Sequence, residues 1–558
     1  MSDAPRLIYM PLGGAGEIGM NAYLYGYGPA GSERFILVDL GVAFPDMDGQ
    51  PGVDVILPDV AWLAERADRL DGIFITHAHE DHIGAVGHLW AQLKAPIFCR
   101  AFTSIHAGRK LEEAGHDAQA ILRVVAPYPE TVEAGPFRVA FAPISHSIPE
   151  AAGLVIDTPA GRVVHSGDFK LDDTPIVGEP FDRAMWSEIA EAGVRALICD
   201  STNVFSPRAG RSESQLGKPI EALVAGASGL VVATTFASNV ARLKTLASAA
   251  TAAGRTVCLM GRAMKRMVAA SVEAGVLTDF PATVSPEDAL DIPRQNLMLI
   301  VTGSQGERRA ATAALSRGSY LGHELKDGDL FLFSSKTIPG NEVGVARIQN
   351  AFAEMGVDVV DGESGDYHVS GHANRPDLQA MHALIKPQIL VPNHGEYRHL
   401  REHAKLGAEA GLVGLLAANG TMLELSGNQP GPVEYIETGR VYLDGRAQVG
   451  AFDGVIRDRM KLALNGLVVV AVIVDEEDDL LEGAMVELRG LPEVTGSGAD
   501  LAEMIEDQLA EALPRLDDRI IANDDKLEEQ VKRVARGVCQ DEIGKKPEVT
   551  LMVQRLMA

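Results

Sequence analysis

Three imidazoles and the Asp81 carboxylate fall within six residues of Phe74-Ile-Thr-His77-Ala-His79-Glu-Asp81-His82-Ile-Gly84. The run follows an apolar segment and leads into a helix-like pattern at Ile83, Val86, Leu89, Trp90 and Leu93. His77 and His79, two apart, can turn nitrogens towards one ion if the chain there is extended, and Asp81 and His82 at a helix start can hold a second. Mixed imidazole and carboxylate donors suit zinc, with manganese the alternative. Two ions need further donors, including a carboxylate able to bridge. The ends of other apolar runs supply candidates: His146 in Ala142-Pro-Ile-Ser-His146, Asp168 in His165-Ser-Gly-Asp168, and His394 in Val391-Pro-Asn-His394-Gly-Glu. Asp39, closing Phe35-Ile-Leu-Val-Asp39, is placed to orient a ligating histidine from behind. Such a pair generates hydroxide near neutral pH and stabilises both entering and leaving oxygens, which serves lactones, thioesters, β-lactams and phosphodiesters alike.

The elements that must position these residues are legible as short apolar runs punctuated by Gly and Pro: Leu7–Leu12, Phe35–Leu40, Gly72–Thr76, Pro96–Arg100, Phe137–Pro143, Leu154–Thr158, Val163–Ser166 and Leu197–Cys199. They read as strands of an α/β or layered β fold. Residues 204–364 change texture to repeated strand and helix patterns, with helices expected near 239–253, 263–274 and 307–316, as in parallel βαβ units. Residues 365–445 return to strand-like segments such as Ile389–Pro392. A linker is expected over 446–462, followed at 463–558 by a small α/β domain: strands Val468–Val474, Ala484–Arg489 and Glu548–Val553, an acidic turn at Asp475–Asp479, and helices at Asp500–Ala512 and Lys526–Cys539.

The length of 558 residues calls for several domains, and 46% hydrophobic with 23% charged residues is the composition of a globular protein. No apolar run is long enough to span a membrane and the first residues lack a basic-then-apolar leader, so a cytoplasmic location is expected. Cys99, Cys199, Cys258 and Cys539 lie far apart, suggesting neither a disulfide framework nor a cysteine zinc site. The net charge of −27 argues against a generally basic nucleic-acid binder, but residues 451–558 carry much of it, with 24 Asp/Glu against 13 Lys/Arg. A local basic groove elsewhere remains open to Arg262, Lys265, Arg266, Arg308, Arg309 and Lys336. Gly14-Ala-Gly16-Glu-Ile-Gly19 matches a dinucleotide-binding spacing with Asp39 twenty residues on. The helix that such a site requires is missing, because Asn21–Tyr27 alternates like a strand, so a hairpin loop is expected.

The order of ligand-type residues resembles the metallo-β-lactamase superfamily, which implies a four-layer αβ/βα sandwich with metals at one edge. The resemblance puts His77, His79, His146 and Asp168 on one ion, and Asp81, His82, Asp168 and His394 on the other, as two zinc ions per chain. The 225 residues between Asp168 and His394 resemble the insertion of the β-CASP nucleases. Asp200 in Cys199-Asp-Ser-Thr-Asn203 is similar to that family's first acidic motif, His372 in His368-Val-Ser370-Gly371-His372-Ala to its second, and His394 to its third. The resemblance implies catalytic roles for Asp81, Asp200 and His372. His372, oriented by Asp200, is expected to protonate the departing 3′ oxygen. His368, Ser370, Gly371 and His372 are expected to face RNA. Phe236, Ser238 and Asn239, at a strand end before a helix, are expected to hold a terminal 5′ phosphate unless Ser238 or Asn239 merely caps that helix.

With its C-terminal domain, the whole plan resembles a bacterial branch of the β-CASP family. That implies processive 5′-to-3′ degradation of single-stranded, 5′-monophosphorylated RNA with some endonuclease activity, in mRNA turnover and rRNA maturation. A homodimer or homotetramer, and partner proteins of an RNA-degrading complex, are expected with it. Two competing readings are a small-molecule metallo-hydrolase of lactonase or thioesterase type, disfavoured by the insertion and the His372 motif, and an RNA-binding subunit with a dead metal site, disfavoured because no ligand is missing.

Overall fold

The computed structural model describes residues 4–556 except 47–48, 339, 363–364 and 476–479. Beyond Asp475, the expected acidic turn lies outside the described residues, as does Pro339.

Strands from residues 6–124 and 421–435 build an eight-stranded sheet, and strands from residues 132–200 and 389–414 a seven-stranded one. The sheets pack face to face because their strands are apolar on both sides. In Arg34–Val38, Ile36 and Val38 meet Phe74, Phe141, Leu154 and Ile198 between the sheets, while Phe35 and Leu37 face the other way. There they meet the helices Val86–Leu93 and Ala101–Glu113 through Leu89, Leu93, Phe102 and Leu111. The helices Arg183–Glu191, Arg375–Ile385 and Tyr397–Glu409 cover the opposite outer face through Trp186, Ile189, Leu378, Met381 and Leu406. The result is the four-layer αβ/βα sandwich.

The insertion is an all-parallel six-stranded sheet in the order Thr283–Val284, Thr256–Met260, Leu297–Val301, Val231–Thr234, Leu330–Phe333 and Asp358–Val360. Its helices Val240–Ala252 and Arg262–Glu273 fall close to where periodicity puts them. The third is shorter, Ala311–Leu315, because Gly303 and Gly306 take positive φ and the chain turns through residues 302–310 first.

Two compact units result: residues up to 44 with 55–441, and 45–54 with 442–558. In the second unit, residues 446–462 are not wholly irregular: Val455–Asn465 is helical, started after Gly454 at φ 87° and burying Ile456. The C-terminal sheet has Leu467–Val474 as its central strand, antiparallel to Leu480–Arg489 and parallel to Glu548–Arg555. Val468, Val470 and Val472 face the helices Leu501–Ala512 and Asp524–Ile543. Among the described residues no helix is long and apolar enough to cross a membrane.

Candidate metal centre

The strand Leu70–Phe74 ends just before His77, and the one-turn helix Glu80–Ile83 starts just after His79, whose backbone is extended at φ −70° and ψ 150°. That change of conformation sends His77 and His79 to one side and Asp81 and His82 to another. His79 Nδ1 lies 3.1 Å from His77 Nε2 and 3.1 Å from His146 Nε2. Asp168 Oδ2 is 3.8 Å from each of those two Nε2 atoms. The same Asp168 oxygen is 3.2 Å from His82 Nε2, and Asp81 Oδ2 is 3.4 Å from both His82 Nε2 and His394 Nε2. Two four-residue groups therefore share Asp168: His77, His79, His146 and Asp168, and Asp81, His82, Asp168 and His394.

The second nitrogen of each ring shows what the donor atoms are. His146 Nδ1 donates to Gly371 O at 2.6 Å, so its Nε2 is a bare lone pair, while His82 Nδ1 donates to Asp39 Oδ2 at 2.7 Å and burial of that ring is outweighed by Asp168, Asp81 and Asp39, which hold it well above the usual histidine value. Thr76 Oγ1 donates to Asp39 and so accepts from His77 Nδ1, which leaves His77 Nε2 bare like that of His146. Three ring nitrogens thus converge with at most one proton among them. Burial first, and then neighbouring imidazoles, holds His77 and His146 well below the usual histidine value; burial likewise lowers His79 to about 4. In the second group burial pushes His394 down, but Asp168 outweighs it and lifts the ring to about 10. His394 Nε2 is buried without a hydrogen-bond partner among the described residues. Among the described residues the ion-pair partners of Asp39, Asp81 and Asp168 are imidazoles and not Lys or Arg, so a cation and these rings compete for the same carboxylates. The donor set fits divalent cations.

His372 lies beside both groups. Its Nδ1 is 2.8 Å from Asp200 Oδ2 and 3.9 Å from Asp168 Oδ2. Asp200 Oδ1 accepts from Thr202 N and Oγ1, which leaves its other oxygen for the histidine. Burial lowers the His372 pKa, yet Asp200 and Asp168 prevail and hold it above the ordinary value. Ser370 Oγ accepts from Asn203 Nδ2 at 2.8 Å and from His372 N at 3.2 Å, and Asn203 Nδ2 also reaches His372 O. Gly371 is where the loop crosses His146: a Cβ there would stand 2.8 Å from His146 Cε1. His368, four residues upstream, touches Arg242 rather than the two acidic groups.

Phe236, Ser238 and Asn239 follow the strand Val231–Thr234. Asn239 is buried and its Oδ1 accepts from Arg242 N, so it does serve as a helix cap, while Phe236 and Ser238 stay half-exposed. The segment is tied to the 367–372 loop through Thr235 Oγ1, which donates to Ser334 O, and Ser334 Oγ, which donates to Tyr367 O. Arg262, Lys265, Arg266, Arg308, Arg309 and Lys336 are all exposed.

Several positioning residues escape a reading for ligands. Asn21 Nδ2 donates to Asp81 O at 3.0 Å and Oδ2 at 3.1 Å, while Tyr23 OH donates to Asn21 Oδ1 and fixes the amide. Gly41 passes so close that a Cβ would lie 1.6 Å from Asp81 O. Gly14, Gly16 and Gly19, all at positive φ, form a turn between antiparallel strands, where Ala15–Gly16 pairs with Gly395–Glu396 beside His394. No dinucleotide helix follows. Asn21 ends this Gly-rich segment, the one signal that pointed to it. Cys199, His382 and His403 also converge; His382 Nε2 and His403 Nε2 are 3.0 Å apart with ring planes 15° from parallel, as in an N–H···N bond, and His403 Nδ1 pairs with Ser201 Oγ.

Family models match in chain order: the metallo-beta-lactamase superfamily over residues 16–196, the ribonuclease J beta-CASP domain over 228–352, the Zn-dependent metallo-hydrolase RNA specificity domain over 362–415, and the ribonuclease J C-terminal domain over 454–556. Ribonuclease J of Sinorhizobium meliloti is 40% identical over 566 aligned residues, covering 100% of this chain and 98% of its own. The chain belongs to the ribonuclease J family. Within that family, ribonuclease J 1 of Streptococcus pyogenes serotype M3 is 34% identical over 87% of each chain, and ribonuclease J of Helicobacter pylori 30% identical over 94% of this chain and 76% of its own. The crystal structure of a protein of unknown function from Enterococcus faecalis V583 is similar in fold, with a TM-score of 0.50 at 16% identity, covering 75% of this chain and 100% of that one. The loop 368–372 falls within the match to the Zn-dependent metallo-hydrolase RNA specificity domain.

Proposed function

We propose that this chain is a metal-dependent ribonuclease that degrades single-stranded RNA from a 5′-monophosphorylated end, processively and with some internal cleavage, in mRNA turnover and rRNA maturation. The observation that carries the reading is His372, held by Asp200 at 2.8 Å beside two donor groups that share Asp168. His77, His79, His146 and Asp168 would hold one cation, and Asp81, His82, Asp168 and His394 the other, with zinc favoured by the nitrogen-rich first group and manganese the alternative. When bound, such a pair supplies an activated water and neutralises charge developing on phosphate oxygens.

The residues of this chain do the rest. With Nδ1–H committed to Asp200, His372 presents Nε2 to the departing 3′ oxygen and delivers its proton there, a step worth about 10²- to 10⁴-fold. The bond broken is P–O3′, so the phosphate stays on the downstream nucleotide as a 5′ phosphate. Asp39 and the Gly371 carbonyl keep His82 and His146 in the tautomer that ligation needs. His368, Ser370 and Gly371 line the path of the backbone, and Phe236 with Ser238 closes over a terminal monophosphate. Assembly is proposed as a homodimer or homotetramer, with further proteins of an RNA-degrading complex as partners. The lactonase or thioesterase reading has no use for the His372–Asp200 pair.

The test is incubation of the metal-loaded protein with 5′-monophosphorylated RNA, its 5′-triphosphorylated form, a lactone and a thioester. The expected result is 5′-phosphate mononucleotides from the monophosphorylated RNA, resistance of the triphosphorylated end, and no turnover of the small esters. Products with 3′ phosphates would overturn the mechanism, and equal attack on both RNA ends would overturn the end preference.

A further inference from the structure

Arg242, in the first turn of the helix Val240–Ala252, is completely buried. A guanidinium out of water is costly unless its five N–H groups find acceptors, so the acceptors show what the residue is for. Nε and Nη2 fork onto the two oxygens of Glu213, itself buried. Nη1 reaches Ser334 O at 2.7 Å, Ser334 Oγ at 3.0 Å, Tyr367 O at 3.4 Å and His368 Nδ1 at 3.3 Å, and Nη2 reaches Val369 O at 3.4 Å. One side chain of the inserted sheet thus grips three consecutive residues, 367–369, which run directly into Ser370-Gly371-His372.

The contact with His368 has a chemical consequence. A guanidinium can only donate, so His368 Nδ1 must accept and the ring proton must sit on Nε2. Burial and the adjacent Arg242 and Lys336 charges keep that ring neutral, lowered to about 3. His368 is therefore a neutral N–H donor with a fixed direction. His372, in contrast, has its own anchors in Asp200 and Asn203.

We propose that Arg242 is a positioning residue for RNA: its fork holds residues 367–369 and sets the His368 tautomer, so that His368 Nε2–H is aimed at a non-bridging oxygen of an RNA phosphate. This rests on reading the 368–372 loop as the RNA-facing segment. It assigns to the insertion a part in substrate binding that is separable from proton delivery by His372.

The experiment measures KM and kcat for a 5′-monophosphorylated oligonucleotide with the metal-loaded protein and its Arg242→Lys, His368→Ala and His368→Gln variants, and with the Arg242→Lys/His368→Ala double variant. Lysine keeps a charge for Glu213 but cannot fork, so KM rises about ten- to a hundredfold while kcat at saturating RNA changes much less. His368→Ala raises KM by a similar factor, and the double variant is no worse than the more impaired single one, because both remove the same contact. His368→Gln, whose amide N–H can stand where Nε2–H stands, recovers much of the loss without disturbing a buried charge. Wild-type KM in both Arg242→Lys and His368→Ala, or factors that multiply in the double variant, would overturn the proposal while leaving the ribonuclease reading intact. Should Arg242→Lys not fold, a wild-type KM in His368→Ala is enough to overturn it. A wild-type protein that leaves RNA uncut would overturn both.

Discussion

Two kinds of histidine meet at the centre. His77 and His146 turn bare lone pairs towards His79, whereas His372 has its Nδ1 tied to Asp200. Substitution should separate them. His77→Ala or Asp81→Ala is expected to abolish RNA hydrolysis and lower metal content, measured by elemental analysis of the purified variant; activity surviving metal depletion would contradict the two-cation mechanism. His372→Ala should keep full metal content and slow the chemical step by about 10²- to 10⁴-fold, and metal loss in that variant would make His372 a ligand instead.

At the scale of elements, the centre sits where strands end. Asp39, His77, His146, Asp168, Asp200 and His394 all follow apolar runs buried on both faces, so the core fixes their backbones while the side chains emerge at one edge. The C-terminal sheet poses the opposite situation, with one face packed on helices and one not. Ala471 of the central strand has Met485 on one side and Met552 on the other, and these methionines are 60% and 61% exposed. Half-buried Val469 and Ile473 extend the same face, since side chains alternate along a strand. If this face is the subunit interface, Met485→Glu with Met552→Glu should reduce the mass seen by light scattering to that of one chain while leaving metal content unchanged. An unchanged mass would rule this face out as the interface.

For the molecule as a whole, buried neutral histidines away from the metal groups set a limit on acid stability. His106 is lowered to about 4, first by burial and then by Arg109, Lys110 and Arg266, and its buried Nε2 has no hydrogen-bond partner among the described residues. His382 is lowered to about 4 by burial. Such a group takes up its proton near pH 6.5 when unfolded but only near 4 when folded. Its contribution is therefore whole above about pH 6.5 and is lost as pH falls towards 4, at about 1.4 kcal/mol per pH unit. The urea midpoint should drop between pH 7 and pH 5. His106→Gln, which cannot titrate, should show a smaller drop, worth about 2 kcal/mol less over that interval, and equal slopes for the two proteins would contradict the assignment.

The residues that converge in the two donor groups were legible in the chain because a strand-end histidine or aspartate has a local signature: an apolar run, then a polar donor, then a turn or helix start. His77 to His82, His146, Asp168, Asp200 and His394 all carry it, whereas His372 lies in a loop and was legible only through the motif it resembles; alternating apolar strands with helices implied the layers. The supports carry no such mark. Asn21 under Asp81, the Gly371 carbonyl on His146 and Arg242 across residues 367–369 are hydrogen bonds between groups 60, 225 and about 126 positions apart, of types found anywhere in a polypeptide. Asn239 shows the ambiguity directly, since a cap and a phosphate ligand have the same sequence appearance and only the folded helix shows its oxygen on Arg242 N. Residue type and local pattern therefore determined which atoms can act on a metal or a proton. Which lone pair each ring presents depends on what stands behind it, and only packing of the sandwich against the inserted sheet decides that.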